Sequence, residues 1–126
     1  LIIKRSTSDT MNAGLWECPG GKLDVGQDLT NAHEREVLEE TGLVVEPSRM
    51  YTRSTFVIGQ GKYKGLAYVA FFSVNKLLGG ELRLSNEHTD YAWVTYREML
   101  QYELTDEVRS AAIVLSKYLD PVDVAL

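Results

Sequence analysis

Cysteine is almost missing from this chain of 126 residues. Cys18 stands alone, so no internal disulfide can form. That excludes a disulfide-stapled secreted scaffold and suits a reducing cytosol, so a cytoplasmic location is expected. No apolar run approaches a bilayer span, and Leu1-Ile2-Ile3 is too short for a signal peptide, so no membrane partner is expected. An excess of basic charge is also missing. The formal net charge is -5 and no basic stripe occurs, which argues against duplex nucleic acid as a partner. A small anionic substrate stays compatible if metal ions supply positive charge. Internal repeats, linkers and low-complexity segments are absent as well. The chain lacks an initiator Met and opens in what reads as mid-strand, so the natural protein is expected to start earlier.

What is present is ordinary for a globular domain. Apolar residues make up 44% and charged residues 25%, and the length suits one compact domain, 1–126, as a monomer or homodimer. Strands are expected over Leu1 to Lys4, Leu15 to Cys18, Leu43 to Val45, Met50 to Ile58, Leu66 to Val74, around Leu82 to Leu84, and over Tyr91 to Val94. Leu66 to Val74 is the most apolar run and reads as a central strand. Pro47 is expected to interrupt, and Gly79-Gly80 to turn the chain. Gly59 to Gly65 reads as a plain hairpin loop in which Lys62 and Lys64 flank Tyr63, with a clamp on phosphates or a base as the alternative. Helices are expected over Asp28 to Thr41, Tyr96 to Gln101 and Asp106 to Leu119, with Asp28, Thr95 and Thr105 as N-caps, Gly42 past the first helix end and Pro121 past the last. A mixed sheet packed by helices follows from this order. Trp16 and Trp93 read as core, His33 as a surface residue, and Cys18 as a buried strand residue without a neighbouring base.

The chemistry concentrates between Gly20 and Leu43. A glycine-rich loop, Gly20-Gly21-Lys22-Leu23-Asp24-Val25-Gly26, leads into the first long helix. On that helix Glu36, Glu39 and Glu40 stand at i, i+3 and i+4, within a sector of roughly 100°. Leu29 and Ala32 project into the same sector, so the carboxylates continue the apolar stripe and turn toward the fold. Crowded, partly buried carboxylates need an offsetting cation. Arg35 offers one, and Mg2+ or Mn2+ another, since both prefer carboxylate oxygens. The helix alone also fits a solvated acidic face.

The same residues resemble the signature of the Nudix hydrolase family. Gly21 opens the pattern, seven residues from Asp28 to Glu34 have the required length, and Arg35-Glu36-Val37-Leu38-Glu39-Glu40-Thr41-Gly42-Leu43 closes it. The one departure is Gln27, where the family has Glu. Trp16 to Gly20 resembles the usual approach to the loop, and Glu87 with Tyr91 to Thr95 resembles the C-terminal half. The resemblance implies an α/β/α sandwich around a mixed sheet, with a further strand before Leu1 that is lacking here. It implies that Glu36, Glu39, Glu40 and the Gly20 carbonyl bind Mg2+ or Mn2+, and that Arg35 orients the glutamates. The expected reaction is hydrolysis of a nucleoside diphosphate linked to another group, most of all a nucleoside triphosphate giving a monophosphate and pyrophosphate. Glu39 and Glu40 would carry the catalysis with Arg35 and Glu87. Glu87 is open between base, metal ligand and plain surface acid. Arg5 and Lys22 are candidates for substrate phosphates. Glu17, grouped with them at the substrate, is also a candidate with Glu87 to replace the acid lost at Gln27. His88 is a minor candidate for carrying a proton. A non-catalytic Nudix domain that binds a nucleotide or protein is the alternative.

Overall fold

Strand β1, Ile2–Arg5, is the inner strand of a three-stranded sheet, and its Ile2 and Ile3 are fully buried. The computed structural model describes residues 1–59 and 61–118, with the backbone alone at 49–52 and 54. Strand β2, Trp16–Glu17, pairs antiparallel on one side of β1, and β5, His88–Ala92, pairs antiparallel on the other. Trp16 also makes an isolated parallel bridge to Leu104. A second sheet is one long antiparallel hairpin, β3 Leu43–Val57 with β4 Ala67–Gly80. Helix α1 (Leu29–Thr41) and helix α3 (Asp106–Tyr118) both contact β3, and the short helix α2 (Tyr96–Met99) packs on α3. This is the expected α/β architecture, with antiparallel ladders between its strands.

Helix boundaries follow local chemistry. The Asp28 carboxylate accepts the Asn31 N–H at 3.0 Å, and Gly42 ends α1 in the left-handed region at φ 75°. Thr95 caps α2 through the Glu98 N–H at 3.1 Å. Val108, Ala111, Ala112 and Leu115 are buried on α3 as their spacing requires, and Ile2, Met99 and Leu104 complete the core with them. Thr105 is different. It stands at the N-cap position, where its carbonyl accepts the Arg109 N–H at 2.9 Å, but its buried hydroxyl makes no capping hydrogen bond. Leu119 and Pro121 lie outside the described residues.

The strands depart further from expectation. Pro47 does not interrupt β3: it stands opposite Asn75 at the edge of a register shift between Pro47 and Arg49, the kind of irregularity that accommodates proline. The apolar run at Leu66 does not form a central strand. Among the described residues β4 pairs only with β3, and Val69 and Phe71 are each 47% exposed. Gly79-Gly80 ends β4, where Gly80 has φ 93°. Residues 81–85 form no strand. Their N–H groups go instead to the last carbonyls of α1, Arg83 to Thr41 (2.8 Å) and Ser85 to Glu40 (3.0 Å). Trp93 is 58% exposed and does not belong to the core, whereas Trp16 packs against it with its ring edge-on to Tyr102. No helix among the described residues is long and apolar enough to cross a membrane.

Candidate active site

Cross-strand partners in an antiparallel pair share a face. The register puts Arg5 opposite His88 and Ile3 opposite Glu17, which brings Arg5, Glu17 and His88 to one face of the three-stranded sheet. There they bond. Arg5 Nη1 donates to Glu17 Oε1 (3.0 Å), Arg5 Nη2 donates to Asp9 Oδ2 (2.7 Å), and Arg5 Nε donates to the Met11 carbonyl (3.0 Å). The buried His88 ring bonds through Nε2 to Glu17 Oε1 at 2.9 Å, so Nε2 carries the proton toward the carboxylate. Glu17 is thereby pinned by two donors, and Arg5 has most of its donors engaged within the protein. Both carboxylates raise the Arg5 pKa against the burial that would lower it.

Helix α1 brings the second part. Glu36 and Glu40 are partly buried, whereas the Glu39 side chain is 60% exposed. Two of the three glutamates therefore turn inward as the spacing implies. Leu29, on the other hand, is exposed instead of following Ala32 and Val37 into the fold. The glycine loop closes against the inward pair. The Gly20 N–H donates to Glu40 Oε2 at 2.9 Å, and a Cβ on Gly21 would stand 2.6 Å from the Glu36 carboxyl carbon. Gly21 is thus required by close approach. Arg35 reaches Glu36 (3.5 Å) and Glu39 (3.8 Å) and is half exposed, so it offsets the charge of one inward and one outward carboxylate.

The two parts meet at Glu40. Burial pushes its carboxyl up to about 7. The charges of Glu17 and Glu36 push the same way, while the Gly20 N–H and His88 oppose them. The remaining candidates are more peripheral. Glu87 is exposed in the turn before β5, and Lys22 is exposed with its ammonium 4.5 Å from the centre of the Tyr63 ring. Gln27 accepts the Asp24 N–H through its side-chain carbonyl at 2.9 Å, which closes the glycine loop without a charge. His33 is half-buried, bonded to Asn75 at 3.1 Å, and so is no free surface residue.

His88 is the residue that sequence reasoning underrated. The usable signal was its place opposite Arg5 across the sheet, which needs the register. Cys18 is partly buried against the core just past β2, and burial pushes its thiol up to about 11. The thiolate population near neutrality should then be about 100-fold below that of a free thiol. Alkylation of the native protein by iodoacetamide is expected to be slower by that factor and to become normal in denaturant; rapid labelling of the folded protein would show the sulfur to be accessible and ionised.

The donor set fits a hard divalent cation. Glu36 and Glu40 are partly desolvated carboxylates, and of the two only Glu36 is paired with an arginine in the structure. Among the described residues no three His, Cys, Asp or Glu side chains gather tightly enough to enclose an ion. Mg2+ does not need such a cage, since it commonly takes one or two carboxylates and completes its shell with water and substrate phosphate.

Comparison with known proteins identifies the family. The NUDIX domain pattern matches residues 1–115. The chain belongs to this family, that of the Nudix pyrophosphohydrolases. It is 26% identical over 117 residues to the nucleoside triphosphatase NudI of Escherichia fergusonii, covering 86% of this chain and 82% of that protein. A Myxococcus xanthus octanoyltransferase is 32% identical over 94 residues, but the match covers 75% of this chain and only 26% of that longer protein. The crystal structure of the MutT protein from Methanosarcina mazei superposes with a TM-score of 0.73 at 27% identity, covering 92% of this chain and 81% of that one.

Proposed function

We infer that the chain is a Mg2+- or Mn2+-dependent hydrolase of nucleoside triphosphates, giving a nucleoside monophosphate and pyrophosphate. One observation carries this reading: the segment from Arg35 to Leu43 is complete, and its helical part, which ends at Thr41, turns Glu36 and Glu40 inward against the Gly20-Gly21 backbone. The similarity to a nucleoside triphosphatase supports the substrate class.

Glu36, Glu40 and the Gly20 carbonyl would hold the ion, with Glu39 nearest to solvent. A bound divalent ion acidifies water, screens phosphate oxygens and stabilises the leaving oxygen. The chain itself does the positioning. Arg35 restrains Glu36 and Glu39, and the Gly20 N–H fixes one oxygen of Glu40. Arg5 and His88 hold Glu17 beside Glu40, where it can supply the negative charge that Gln27 lacks. Glu87, at the exposed turn before β5, is free to meet substrate or its water. A panel of nucleoside triphosphates and diphosphate esters with Mg2+ and Mn2+, followed by phosphate and pyrophosphate release, tests the reading. Triphosphates should be turned over. Tight nucleotide binding without turnover of any compound would instead mark a non-catalytic Nudix domain.

Gln27 gives a milder test. Its carbonyl already makes the loop-closing hydrogen bond, and Glu would keep that acceptor while adding charge. Gln27→Glu should raise kcat modestly, by about two- to tenfold. An unchanged rate and metal dependence would show that Gln27 is no handicap.

A further inference from the structure

The tip of the β3–β4 hairpin comes back to the glycine loop. It is closed by two bonds at Ile58, Gly65 N–H to the Ile58 carbonyl (2.8 Å) and Ile58 N–H to the Leu66 carbonyl (2.9 Å). Gly61, at φ 80°, packs toward Met11 of the β1–β2 loop. This brings Tyr63 against Lys22, whose ammonium lies 4.5 Å from the ring centre, and Lys62 lies 5.4 Å from the same centre. An ammonium over an aromatic ring is attracted by the ring's quadrupole. Two ammoniums on one ring also repel each other, and among the described residues neither lysine has an ion-pair partner. In a chain of net charge -5 this is a local excess of unneutralised positive charge. Lys22 follows directly on Gly21, the residue that touches the Glu36 carboxylate.

We propose that Lys22, Tyr63 and Lys62 form an anion subsite for the outer phosphates of the substrate, which leave as pyrophosphate. The ring holds the two ammoniums together, and a polyphosphate supplies the negative charge that the pair lacks. Lys62 and Tyr63 then favour substrates with a free terminal phosphate over those capped by a second bulky group. The identity of the ligand rests on the triphosphate hydrolase reading above; the existence of the subsite does not.

Inorganic pyrophosphate is the probe, titrated calorimetrically into the metal-free protein in EDTA at low salt. Lys62→Ala and Tyr63→Leu should each weaken its binding about three- to tenfold, while Tyr63→Phe, which keeps the ring face, stays within about twofold. Lys117→Ala on α3 serves as a control for net charge and should leave the affinity unchanged. In turnover, Lys62→Ala should raise KM for a triphosphate by a similar factor at nearly constant kcat. Equal weakening by Lys117→Ala, or unchanged pyrophosphate affinity in Lys62→Ala and Tyr63→Leu, overturns the subsite. A protein that shows the binding pattern but hydrolyses nothing retains the subsite and loses the hydrolase reading. Turnover with a flat binding pattern does the reverse.

Discussion

Glu40→Gln should abolish metal-dependent turnover, by at least about 100-fold, and yet make the metal-free protein more stable. Both effects come from the same placement. Glu40 is partly buried at the end of α1, next to Glu17 and Glu36, and its compensation is one backbone N–H and the neighbouring His88. Its carboxyl is raised from 4.5 to about 7 in the fold. The sign follows from that direction. Between those two values the unfolded chain ionises Glu40 more readily than the folded one, so rising pH weakens the metal-free fold through this window, and the full cost is present above about 7. Partial solvent exposure reduces that cost to about 1–3 kcal/mol. Gln keeps an acceptor for the Gly20 N–H and removes the charge. Urea melts at pH 8 in EDTA should therefore show Glu40→Gln to be more stable than the wild type, with the difference shrinking by pH 4.5. Added Mg2+ should stabilise the wild type and have little effect on the variant. A variant that is less stable at pH 8, or that retains wild-type turnover, would remove Glu40 from the site.

Gly42→Ala is expected to destabilise the protein by about 3 kcal/mol or more, through two separate causes. Gly42 holds a left-handed conformation at φ 75° to end α1, which an L side chain resists. A Cβ there would also run into the carbonyl oxygen of Glu81. Gly80 is its counterpart, with φ 93° and its own missing Cβ directed at the carbonyl oxygen of Gly42. The end of the signature helix and the end of β4 are therefore packed backbone to backbone, which lets the segment after Gly80 cover the last carbonyls of α1. Gly79 is the control, since a Cβ there meets nothing within 4 Å. Gly79→Ala should stay within about 0.5 kcal/mol of wild type in denaturant melts. Equal effects at positions 42 and 79 would show that the close approach does not exist in solution.

The parts of the fold that were legible in sequence are those written in local chemistry. Asp28 and Gly42 bracket α1 through their own cap bonds, Thr95 with Glu98 starts α2, and the apolar spacing of α3 names its buried face. Strand content was legible but strand fate was not. Pro47 is tolerated because a register shift falls on it, and the apolar run after Leu66 remains half exposed because its one described partner is β3. Neither fact exists until a distant segment has chosen its register. The candidate active site divides in the same way. Gly20, Arg35, Glu36, Glu39 and Glu40 follow from one helix and the loop before it. The support of Glu17 by Arg5 and His88 depends on pairing across 71 residues of sequence between Glu17 and His88. That separation made His88 look unimportant. It also hid the meeting of Lys22 with Tyr63, which only the long hairpin brings about.

The inward side of α1 and the glycine loop are proposed to form a divalent metal site. Paramagnetic broadening by Mn2+ measures this without substrate or turnover. Substoichiometric Mn2+ added to the 15N-labelled protein should broaden the amide signals of Gly20, Gly21 and the helix from Glu36 to Thr41 first, and Glu40→Gln should remove that selectivity. Broadening that begins elsewhere, or that is unchanged in Glu40→Gln, would contradict the site.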